Sequence, residues 1–105
     1  MIRIEIESTK LNQRSGVSKE TQKPYSMQEQ MALMFRQGER YPEKIKLTLD
    51  KDSSAYAVGH YMLSDESFEL SRFAGIQIRP RLIPMAAAVS EIEAFLLTLK
   101  QKASA

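Results

Sequence analysis

The chain has no cysteine and no tryptophan, and its one histidine is His60. Without cysteine there are no disulfides and no thiolate metal sites. A lone histidine with no second imidazole or thiolate nearby makes a poor metal centre, so His60 reads as structural or simply exposed. No glycine-rich phosphate loop and no nucleophile elbow is present. The acidic pairs Asp50/Asp52 and Asp65/Glu66 lie in turn-like stretches, where carboxylates cap or solvate. Nothing therefore points to an enzyme, a metal site or a cofactor. No apolar run approaches the length that spans a bilayer, and M-I-R-I-E-I alternates instead of forming an apolar signal core. These absences leave a cytosolic, non-membrane binding protein as the expectation. At 105 residues, one domain with a thin core is expected, which dimerisation would help.

What is present is charge, unevenly placed. The formal net charge is only +2, but residues 1–46 hold nine Lys/Arg against six Asp/Glu. Residues 47–105 hold six against seven, with a small basic focus at Arg79 and Arg81. A local basic surface is the electrostatic footprint of a polyanion binder, even on a nearly neutral chain.

Period-two alternation marks the strands. Ile2, Ile4 and Ile6 share one face of residues 1–7, and Ile45, Leu47 and Leu49 one face of 43–49. Residues 14–35 read as a long hairpin turning around Glu20–Gln22. Gly38 and Pro42 mark a loop, and D-K-D-S-S a turn. Short strands are expected around Tyr61–Leu63 and Phe68–Leu70. A last one covers 76–83, with Arg79 and Arg81 on one face and Pro80 forcing an edge or bulge. Residues 1–84 thus predict an all-β body of five or six short strands, and an OB-like Greek-key barrel fits that pattern. Residues 85–105 predict an amphipathic helical tail. Its apolar stripe is Val89, Ile92, Phe95, Leu96 and Leu99, and Ser90 with Glu93 suggests a capping box at its start.

The stretch R-S-G-V-S-K-E-T-Q-K-P-Y-S, residues 14–26, concentrates Arg14, Lys19 and Lys23 on the hairpin, with Tyr25 at its base. Tyr25 and Met27 share a strand face with Lys23, and Lys46 points outward from its own strand. Cations that track a backbone, with an aromatic ring on which bases stack, describe single-strand binding. The plain alternatives are a solubilising surface, a cross-strand packing role for Tyr25 and a core role for Met27.

The order of the residues carries more. R-S-G-V-S-K, K-P-Y-S-M-Q-E-Q, Y-P-E-K-I-K-L-T-L-D, A-Y-A-V-G-H-Y, S-F-E-L-S-R-F and R-P-R-L-I-P together resemble the single-stranded-DNA-binding proteins of filamentous bacteriophages, the gene-five or helix-destabilising type. The resemblance runs from Met1 to Pro84. It implies a five-stranded OB-type barrel with a protruding hairpin wing and a two-fold homodimer. It also implies dimers associating along single-stranded DNA in the bacterial cytoplasm, coating the phage genome. Such coating blocks complementary-strand synthesis and prepares the DNA for packaging, and the activity extends to RNA through repression of translation.

By resemblance, the backbone-contacting cations are Arg14, Lys19, Lys23, Lys46, Arg79 and Arg81. Tyr25 stacks, Met27 is the apolar neighbour of the bound base, and Phe73 reaches into the partner subunit's site. Ser18 and Gln30 match further wing positions. Lys19 stands where the family has arginine, keeping the charge without the planar fork. A second wing aromatic falls on Leu33 by direct count, and a bulge would put Phe35 there instead. Pro80 lies between the late arginines, where one residue is missing. The tail after Pro84 lies outside the resemblance. The competing expectation is a small β-barrel interaction module that docks a partner through this helix.

Overall fold

The computed structural model describes residues 1–50 and 53–104. The chain forms two compact units, Met1–His60 and Tyr61–Ala105.

The first unit is organised by one long strand. Strands β1 (Arg3–Ile6), β2 (Leu11–Val17), β3 (Pro24–Phe35) and β4 (Glu43–Leu49) follow in order. β3 pairs along one edge first with β2 and then with β1, and along the other edge with β4. All three ladders are antiparallel and run in unbroken register, for example Arg14↔Met27, Glu5↔Leu33 and Met31↔Lys46. Successive side chains point to opposite faces, so the sheet divides cleanly. One face buries Ile4, Ile6, Ala32, Leu47 and Leu49. The expected Ile2 precedes β1 and is exposed. Gly38 takes the left-handed conformation (φ 89°) in the turn between β3 and β4, as its place in the loop requires. Ser53 N–H donates to Asp50 O at 2.9 Å, in keeping with a turn, while Lys51 and Asp52 lie outside the described residues.

Gln30 is the exception in this apolar layer. It is fully buried on the core side of β3. Its Nε2 donates to Ser8 O (3.0 Å) and Tyr56 O (2.9 Å), and its Oε1 accepts from Tyr56 N–H (2.9 Å). One side chain thus satisfies two loops that the sheet cannot reach. Gln30→Ala should remove all three of these part-buried hydrogen bonds, costing about 2–3 kcal/mol. The unfolding midpoint should drop by roughly 10–20 °C. Thermal unfolding followed by circular dichroism checks this. A shift under about 3 °C would mean that the loops find other partners.

The second unit contains most of β5 (Gly59–Leu63), a 3₁₀ turn at Asp65–Ser67, β6 (Phe68–Leu70), β7 (Ile76–Ile78), β8 (Leu82–Pro84) and α1 (Met85–Ser104). β5 pairs with β8, and β6 with β7, both antiparallel. The expected single strand over 76–83 is two strands with a corner at 79–81. Pro80 has no N–H to give a ladder, and Ser67 takes the donors on either side. Ser67 O accepts from Arg79 N–H at 2.7 Å. The fully buried Ser67 hydroxyl accepts from Arg81 N–H and donates to Arg81 O, both at 2.8 Å.

The tail helix starts five residues before the expected cap. M-A-A-A is a strong helix-forming run, so the helix begins directly after Pro84. Ser90 is therefore interior, and its hydroxyl donates back to Ala86 O at 3.1 Å. The chain is mostly β with one C-terminal helix. Among the described residues its strands number eight instead of five, and no ladder closes a barrel.

Candidate nucleic-acid interface

The outward face of the first sheet follows from the same alternation. Opposed residues share a face, so Arg14, Gly16, Tyr25 and Met27 stand together, and Met31, Leu33 and Phe35 continue along β3. β4 adds Lys44 opposite Leu33 and Lys46 opposite Met31. From Tyr25 to Met31 this face extends about 20 Å at roughly 3.3 Å per residue.

Arg14, Ser18, Tyr25 and Met27 line one open depression of ≈ 410 Å³. Its lining is mainly apolar, from Tyr25 and Met27, with Arg14 as its one cation. Tyr25 is 37% exposed, with its ring lying over the backbone of the opposed Gly16. A Cβ at position 16 would stand 2.9 Å from the tyrosine Oη and 3.1 Å from Cζ. Glycine thus permits the ring to lie close against the neighbouring strand. Gly16→Ala should swing the ring away at little cost in stability, since the side chain's far end can move. Affinity for a flat ligand on this face should fall severalfold with the unfolding midpoint unchanged. Tyrosine fluorescence titration beside a thermal melt checks both. Unaltered affinity would mean that the ring's seat on Gly16 has no role in binding.

The Arg14 guanidinium lies 3.8 Å from the carboxylate of Glu29, two residues beyond Met27 on the same face. Arg14 is exposed while Glu29 is largely covered, and the pair orients the arginine across the sheet more than it stabilises the fold. The turn beyond β2 is closed by Ser18 N–H on Lys23 O (2.9 Å) and Gln22 N–H on Ser18 O (2.8 Å), with Gln22 left-handed at φ 59°. That closure leaves Lys19 exposed at the tip and Lys23 exposed beside Tyr25. Lys46 is also exposed.

The structure therefore gathers Arg14, Tyr25 and Met27 at one depression, with Lys46 on the same face and Lys19 and Lys23 at the hairpin end. Gln30 does not belong with them, because its even-numbered position turns it into the core. The ladders through Leu33 and Phe35 contain no bulge, so both residues stand on the outward face in direct count. Phe35 is on the same face but already covered, with the Arg3 guanidinium carbon 4.4 Å from its ring centre. Gly16, Met31 and Lys44 are the face residues that sequence reasoning gave no role, although period two reaches Met31 from Tyr25, Lys44 from Lys46 and Gly16 from Arg14.

Phe73, Arg79 and Arg81 belong to the second unit. Phe73 sits at the apex of the β6–β7 hairpin and is 89% exposed. The hairpin loop is tied by Ser71 N–H on Gly75 O (2.7 Å) and Gly75 N–H on Ser71 Oγ (3.0 Å), with Ala74 left-handed at φ 62°. Arg79 is exposed and Arg81 half-buried at the corner that Ser67 pins. They lie between strands instead of sharing one strand's face. Among the described residues, no group of three or more His, Cys, Asp or Glu is placed to hold a metal, and no helix is long and apolar enough to cross a membrane.

Cations spaced along a sheet face, with an aromatic ring set among them, form a surface suited to a phosphate backbone carrying flat, unpaired rings. The chain belongs to the helix-destabilising proteins, whose family model matches residues 4–85. It is 40% identical over 87 residues to a DNA-binding protein of Enterobacteria phage fd, covering 80% of this chain and 98% of that one. It is 31% identical over 80 residues to a DNA-binding protein of Salmonella phage IKe, covering 74% and 90%.

Proposed function

We propose that the chain binds single-stranded DNA without strong sequence preference, as a non-enzymatic helix-destabilising protein. The main support is the depression shared by Arg14, Ser18, Tyr25 and Met27 on the outward sheet face, in a chain of this family. Tyr25 stacks on a base with Met27 against its edge. Arg14, Lys19, Lys23 and Lys46 take phosphates along the wing, and Arg79 and Arg81 add two more from the second unit. The DNA-binding domain is residues 1–84, an OB-type body, with 85–105 as an appended helical tail.

The working unit is a homodimer. The β6–β7 hairpin supports this, because the opposed pairs Phe68↔Ile78 and Leu70↔Ile76 make an apolar face left exposed in the single chain. Phe73 at its tip serves the partner's site. Dimers line up cooperatively along the strand in the host cytoplasm, coating the phage genome, stopping complementary-strand synthesis and readying the DNA for packaging. Binding to messenger RNA represses translation by the same surface.

A ligand that binds only the separated strands shifts the melting equilibrium towards them. The protein should therefore lower the melting temperature of duplex DNA at low salt, and the chain truncated after Pro84 should retain this effect. An unchanged or raised duplex melting temperature would contradict the proposal.

A further inference from the structure

Helix α1 starts where the family match ends. At about 100° per residue, Ala88, Val89, Ile92, Phe95, Leu96 and Leu99 fall on one stripe. Ala88 is buried, but Val89, Ile92, Phe95, Leu96 and Leu99 are 43 to 61% exposed. A contiguous apolar face of this kind marks an interaction site.

The charges on its two flanks say what fits. Glu91 and Lys102 lie on one flank of the stripe, and Glu93 and Lys100 on the other. An interfacial membrane helix has a Lys/Arg-rich polar face, whereas this one carries equal acids and bases. In an antiparallel helix pair, each flank faces the same flank of the other copy. Glu91 then meets Lys102 of the second copy, and Glu93 meets Lys100. Both pairs fall in a single register, centred between Leu96 and Leu97, and all four contacts of the two-fold pair join opposite charges. In that register the stripe residues of the two copies also interleave, as knobs into holes require. A parallel pair would set acids beside acids and bases beside bases.

We propose that α1 is a self-association element that docks antiparallel on α1 of a second copy of the chain. This contact is separate from the β6–β7 hairpin and does not depend on nucleic acid. A chain with both contacts builds assemblies that a hairpin dimer alone does not reach.

The test is sedimentation of the full chain without DNA across a concentration series. Glu91→Lys/Glu93→Lys makes all four flank charges positive, and Lys100→Glu/Lys102→Glu makes all four negative. Each variant alone should associate at least about tenfold more weakly than wild type, and an equimolar mixture should recover the wild-type mass. Recovery on mixing also shows that neither variant had merely unfolded. Because the chain has no cysteine, introduced thiols report the orientation. Leu96→Cys should oxidise to a disulfide-linked pair. Ile92→Cys should not, because the two copies of that position lie about 13 Å apart along the axis at 1.5 Å per residue. Unchanged mass in both charge variants, failure of the mixture to recover, or equal cross-linking of both cysteine variants would overturn the proposal.

Discussion

Tyr25→Ala should lower affinity for single-stranded DNA about 5- to 150-fold while the protein stays folded. The range follows from a stacking contribution of roughly 1–3 kcal/mol per base, with every 1.4 kcal/mol equal to a factor of ten. The fold should hardly notice. The ring is on the outward face, 37% exposed, and rests on Gly16, so its removal opens no internal cavity. The lost cross-strand contact should cost less than about 1 kcal/mol. Tyr25→Phe retains the flat ring and should bind within a few-fold of wild type. Binding isotherms for the three proteins at one salt concentration separate stacking from simple exposure. Equal affinities for wild type and Tyr25→Ala would assign the ring a packing role instead.

Salt should weaken binding still more. If Arg14, Lys19, Lys23, Lys46, Arg79 and Arg81 each neutralise one phosphate, log K should fall with log salt at a slope of about −4, near 0.7 per contact on a single strand. Raising salt from about 50 to 200 mM then costs roughly 300-fold in affinity. The slope also counts contacts. A value near −3 would mean that only the four first-unit cations touch phosphates and that Arg79 and Arg81 do not. Lys46→Ala should make the slope shallower by about 0.7 and lower affinity alike on all sequences. Arg14 has a further requirement, because its guanidinium must turn from Glu29 towards the phosphate. A slope near zero would remove the electrostatic half of the account.

The parts of this molecule that sequence made legible are those governed by alternation. Ile4, Ile6, Leu47 and Leu49 occupy the core face that period two assigns them, and Tyr25 and Lys46 the opposite one. The same rule would have placed Gln30 inside, five positions from Tyr25 and so on the other face. The resemblance instead matches Gln30 to a wing position, against that parity. Residues 76–83 failed for a different reason. Their division depends on Ser67, whose carbonyl and hydroxyl no local pattern links to Arg79 and Arg81. The helix start is not legible in S-E-I-E, which fits a capping box, because the preceding alanines already favour helix without one. Gly16 shows what a register adds. Its meaning appears only once Tyr25 is known to stand opposite. Phe73 has no signal of its own beyond the resemblance, and its exposure at a hairpin tip is a finding of the structure.

The central claim is that Tyr25 stacks on unpaired bases within a basic face. Its most direct test is titration of wild type and Tyr25→Phe with single-stranded and duplex DNA at low salt, following tyrosine fluorescence. No tryptophan is present to mask the four tyrosines. The account predicts strong quenching of wild type by the single strand, reversal by added salt and little response to duplex. It also predicts a clearly smaller quench for Tyr25→Phe at nearly equal affinity. Quenching of the same size in Tyr25→Phe, or none in the folded wild type, would contradict it.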